Sequence, residues 1–67
     1  MTLFQDLVSI VSRGQLLKVK DYASNKVLFN GVLCELPYFT FEKIFKYEVL
    51  NMFVAIDGRT LVVEVND

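Results

Sequence analysis

Histidine is absent from this chain, and with it the commonest general base and the commonest metal ligand. The single cysteine, Cys34, excludes an internal disulfide, and one thiol without imidazoles cannot build a structural zinc site. No histidine stands ready to deprotonate Cys34 and no charge cluster adjoins it in sequence. It therefore reads as a small buried hydrophobe in a reducing, cytoplasmic setting, not as a nucleophile. The three glycines, Gly14, Gly31 and Gly58, lie far apart, which excludes a phosphate-cradling loop. Acidic residues are equally dispersed. Glu42 and Glu48 stand among lysines as solvated face, and Asp57, next to Gly58, belongs to a turn with no second acid at calcium-loop spacing. No catalytic residue, cofactor or metal is assigned, and the chain does not read as an enzyme.

An excess of either charge is also missing. Seven Lys and Arg meet eight Asp and Glu, for a net charge of −1. Nucleic-acid binding calls for a basic stripe that displaces counterions, and the nearest approach, Lys18, Lys20 and Lys26, is thin. No apolar run reaches the ~20 residues of a membrane span. The opening MTLFQDL has neither the basic segment nor the cleavage site of a secretory signal.

What is present is apolar: 54% of the residues. A single domain of 67 residues hides only about 60% of the surface its unfolded chain exposes. With disulfide and metal excluded, a rich core or a partner must supply the stability. Six of the nine aromatics, Tyr38, Phe39, Phe41, Phe45, Tyr47 and Phe53, fall between Leu36 and Ile56.

The pattern divides the chain into elements. Residues 2–13 read as a helix. Thr2 and Gln5 have capping-box spacing, Leu3, Phe4, Leu7, Val8 and Val11 form a stripe widened by Ile10, and Arg13 and Gly14 suit its end. Residues 15–22 alternate, with Leu17 and Val19 opposite Lys18 and Lys20, as a half-buried strand does. Ser24-Asn25 turns the chain into a strand over 26–33, with Gly31 as a bulge or strand end. Pro37 suits the first position of a short helix over 38–43, and Glu42 and Lys46 share a helical face. Asp57-Gly58, between YEVLNMFVAI and RTLVVEVN, marks a hairpin with a two-residue turn.

A two-residue turn pairs Val54 with Leu61, Met52 with Val63 and Leu50 with Val65 on one face. It pairs Phe53 with Val62 and Val49 with Asn66 on the other. The expected architecture is α+β: an N-terminal helix packed on a four-stranded, mainly antiparallel sheet, in the order α-β-β-short α-β-β, as one domain over 1–67. One helix covers one face, here Leu50, Met52, Val54, Leu61, Val63 and Val65. Phe53, Val62, Val49 and Tyr47 are then left on the uncovered face as a candidate interface, with Phe39 and Phe41 as a second patch.

Several pieces carry a resemblance: Val19 to Asp21, Val27 to Gly31, the Leu36-Pro37-Tyr38 junction, and the closing Leu61 to Val65. In this order they resemble small uncharacterised proteins of phages, prophages and conjugative elements of Gram-positive bacteria. The stretch from Phe39 to Tyr47 is more aromatic than that group's pattern. The resemblance implies a small accessory protein in the host cytoplasm. Proteins in that setting often bind and block a host protein, such as a host-defence target in the manner of anti-CRISPR proteins. The expected function is a non-catalytic protein-binding module that also forms a homo-oligomer, without membrane contact. The alternatives are a nucleic-acid-binding accessory protein using Lys18, Lys20 and Lys26, and an enzyme or small-ligand binder, which a deep polar pocket would mark.

Overall fold

The computed structural model describes residues 1–66. The elements run α1 (Phe4–Val8), β1 (Leu16–Asp21), β2 (Val27–Val32), a 3-10 turn over Leu33–Glu35, α2 (Tyr38–Ile44), β3 (Glu48–Val54) and β4 (Thr60–Asn66). The fold is α+β, and its four-stranded sheet has the order β2-β1-β4-β3. β1·β2 and β3·β4 are antiparallel, and the central pair β1·β4 is parallel.

The first helix is much shorter than residues 2–13. Val8, Ser9, Ile10, Val11 and Ser12 keep the helical period of apolar positions but have poor helix propensity. The Ser9 hydroxyl donates to the Asp6 carbonyl at 2.6 Å, diverting an acceptor of the helical ladder. Thr2 does not cap the helix, because its backbone is engaged elsewhere. Its carbonyl accepts the Val49 N–H at 2.8 Å, the Phe4 N–H donates to the Tyr47 carbonyl at 2.9 Å, and Leu3 bridges Glu48. Leu3 therefore becomes the cap residue. The Asp6 carboxylate reaches back to its N–H at 3.2 Å, at the end of the helix that favours negative charge.

The first hairpin turns at Ser24-Asn25 as its sequence suggests. Asp21 Oδ2 accepts from both the backbone N–H and the hydroxyl of Ser24, and Asn25 takes a left-handed φ of 63°, which Asn tolerates. The register shift falls at Leu28 and not at Gly31. Gly31 stays in the ladder opposite Leu17, with Cζ of Phe29 3.4 Å from where its Cβ would stand. The ring takes the place of a side chain there, so Asn30-Gly31 remains strand.

The second hairpin is wider than two residues. The Gly58 N–H donates to the Ala55 carbonyl, so Ile56 and Asp57 are the central turn residues, and Gly58 follows them with a left-handed φ of 71°. Asp57 closes the loop. Its Oδ1 accepts the N–H groups of Thr60 (2.9 Å) and Arg59 (2.8 Å), and its Oδ2 accepts the Thr60 hydroxyl (2.7 Å). The expected pairing holds from Asn51 to Val54. A bulge at Leu50 then slips it by one, so Val49, and not Leu50, faces Val65.

The core lies on one face of the sheet. Leu17 and Val19 of β1 and Val63 and Val65 of β4 meet Phe4 and Leu7 of α1, Leu33, and Ile44 of α2. Phe4 is fully enclosed and stands 6.3 Å from the Phe41 ring, which is itself 5.8 Å from Phe45. Pro37 is the residue before α2 and not its first turn, while the helix itself falls where its sequence places it.

Two predictions follow from these contacts. Phe4→Ala leaves a cavity at the centre of the seam between α1 and the sheet and costs about 3–5 kcal/mol. That is comparable with the whole stability of a small domain, so urea titration should find the variant largely unfolded. The second concerns acid. The N–H groups of Thr60 and Arg59, then the Thr60 hydroxyl, lower the Asp57 pKa from 3.8 to about 2. A depressed carboxylate pKa gives stability that is present above pH 3.8 and lost as pH falls toward 2. Melting temperatures measured across that window should fall for the native chain and fall less steeply for Asp57→Asn, which starts less stable at neutral pH.

Candidate protein-binding surface

β3 is an edge strand whose inner side is held by β4. Among the described residues, its outer side is occupied only at its start, where Thr2 to Phe4 lie along Tyr47 to Val49. Beyond the bulge at Leu50 the strand runs past the reach of the five-residue α1. Met52 and Val54 alternate onto the core side, opposite Val63 and Leu61, yet are 50% and 61% exposed. Phe53 points to the open face and is 46% exposed; Leu50 is 44% exposed, and Ile56 in the turn is fully so. From Val49 to Ile56 there is no charged side chain. The result is an uncharged ribbon with exposed apolar side chains on both faces.

This differs from the expected contact set. Val62 does lie on the open face opposite Phe53, but it is only 5% exposed, between its register partners Phe53 on β3 and Lys18 on β1. A lysine stem covers apolar neighbours while its ammonium stays in water. Val49 and Tyr47 are not on the open face. The bulge turns Val49 to the core side, and Tyr47 packs against the core beside it. Phe41 also packs on the core, whereas Phe39 is exposed on α2 with Tyr38 and is not joined to the β3 surface by any element. Leu50, Met52 and Val54, expected beneath the helix, are the residues left bare. One feature of the sequence marked them: the unbroken absence of charge over eight positions. Nothing in it marked the bulge.

The other half of the open face is polar. Lys18 and Lys20 project there from β1, but Glu64 stands opposite Lys20, and its Oε1 accepts from the Asn51 amide at 3.0 Å. Lys26 lies outside both strands, in the hairpin loop. The three lysines therefore do not form one stripe, and a carboxylate interrupts it. Cys34 is exposed and not buried, at the rim of an open groove of about 500 Å³ lined by Val8, Val11, Leu33, Leu36 and Phe41. The groove is mostly apolar, unlike the deep polar pocket of a small-ligand site. Among the described residues, no three His, Cys, Asp or Glu stand together as metal ligands. Among the described residues, no helix is long and apolar enough to cross a membrane.

The two ends of the Phe53-Val62 pair should respond differently to charge. Phe53→Asp places a carboxylate at a half-exposed site and leaves the circular dichroism spectrum and melting curve close to native. Val62→Asp forces a carboxylate into a buried site without a partner and should unfold the chain or lower its midpoint steeply. No protein-family model, curated protein or solved structure matches the chain.

Proposed function

We propose that the protein is a non-catalytic protein-binding module whose contact surface is the outer half of β3 and the turn that follows it. The observation that carries the reading is the concentration of exposed side chains at Leu50, Met52, Phe53, Val54 and Ile56 with no charge among them. Contiguous apolar surface of this kind marks interaction sites in small soluble proteins. Aromatic and methionine side chains in the middle of a patch are the usual anchors of protein contacts. The setting implied by the sequence resemblance, an accessory protein of a mobile element, gives such a module a mechanism. By occupying a host protein's surface it blocks that surface sterically, with no chemistry required. The nucleic-acid reading has less support, since Glu64 sits against Lys20 and Lys26 lies apart.

Photo-crosslinking tests the reading. Benzoylphenylalanine is placed at position 53 or 54, or at Tyr22, which is exposed outside the patch. Irradiation in a host cell should give discrete protein adducts from 53 and 54 and none from 22. Diffuse labelling that is the same at all three positions, or none at any, rejects the β3 surface as a binding site.

A further inference from the structure

The free part of β3 is complementary to itself, and we infer that its occupant is a second copy of this chain, paired edge to edge about a two-fold axis at Phe53. The inference rests on the reading of this ribbon as a protein contact, and it places a second copy there in competition with a host protein. Ala55 donates its N–H to Thr60 across the hairpin, so by alternation Phe53 and Asn51 also face β4, while Met52 and Val54 present their backbone N–H and C=O groups outward. Two antiparallel copies centred on Phe53 set Met52 opposite Val54 of the mate. Each copy then donates and accepts at both positions, giving four hydrogen bonds by symmetry. Phe53 faces its own counterpart on the open side, and Leu50 comes level with Ile56 of the mate. Every exposed apolar residue of the ribbon thus meets another one.

Three features favour this occupant over an unrelated partner. First, the segment from Val49 to Ile56 carries no charge, whereas 22% of the chain is charged, so two copies meet without like-charge repulsion. Second, the available length fits. Pairing ends at Leu50 and Ile56, just short of Val49, whose outward N–H is already bonded to Thr2. Third, edge-to-edge pairing gives side chains on both faces of the strand a lateral neighbour at once, because it extends the sheet and both of its faces. The contact is modest. If each of the five side chains loses on the order of 50 Å², the pair hides roughly 500 Å² of side-chain surface, in the range of weak, transient contacts. The Asn51 side chain adds to its weakness, since its Oδ1 accepts the Met52 N–H at 3.0 Å and must let go. The association is therefore reversible and depends on concentration. A two-fold contact is also closed, so it ends at the dimer and does not propagate.

Sedimentation velocity across a wide concentration range should show the mass rising from 7.7 kDa toward twice that value. Val54→Pro removes an outward N–H while leaving the inner ladder to β4 intact, so it should keep the native circular dichroism spectrum and stay monomeric. In a Cys34→Ser background, Phe53→Cys should form a disulfide-linked dimer on mild oxidation, because directly opposed residues of this type stand about 4.5 Å apart at Cα. Tyr22→Cys should not. If Val54→Pro unfolds, the Phe53→Cys result still decides. A monomer at every concentration, or a dimer in which Phe53→Cys fails to link, overturns the pairing. If position 53 still gives photo-adducts to another protein, the binding surface survives and only its occupant was misassigned. If neither dimer nor adduct forms, both readings fail.

Discussion

The parallel pairing of β1 with β4 puts two strands from opposite ends of the sequence at the centre of the sheet. Those strands are the only ones with neighbours on both sides, and they supply Leu17, Val19, Val63 and Val65, the most deeply enclosed side chains apart from Phe4. Everything else is arranged around them. β2 and β3 become edges, each with one side open. The helices gather on the face where these four side chains project, because that is where apolar area can be removed from water. Since the helical layer is short, it covers the centre and leaves the flank that β3 forms.

The bulge at Leu50 then determines which part of β3 is bare. Before it, Tyr47 and Val49 are drawn into the core and their outer backbone is clasped by Thr2 and Phe4. After it, the strand has a partner on one side only. The same insertion that completes the core therefore creates the exposed ribbon, and the two cannot be separated without changing the register of β3 on β4.

Much of this was legible in the residues. Alternation exposed β1, the turn chemistry of Ser24-Asn25 located the first hairpin, and Pro37 announced α2. The pairing of Phe53 with Val62 followed from the length of the second loop, although Asp57-Gly58 sits one position later in the turn than a two-residue loop requires. What was not legible has physical causes. The end of α1 depended on weak propensity competing with a correct periodicity. The capping of its start was overridden by a backbone bridge to residues 47–49, which are distant in sequence and leave no local trace. The bulge has no glycine or other marker. Because a slip of one residue moves a side chain to the opposite face, that single unseen insertion sent Val49 to the core and left the candidate site to be found among neighbours expected beneath the helix.

The clasp between the start of the chain and β3 bears on how the molecule is made. The Gln15 side chain donates to the Arg59 carbonyl 44 residues away, and the ladder from β1 to β4 spans a similar separation. Closing loops of that length before any contact rewards them slows folding. A nascent polypeptide cannot complete this sheet until β4 has left the ribosome. Up to that moment the first hairpin and α2 hold no finished core, so the sheet closes only once β4 is free to pair, and not piecemeal from β1 onward.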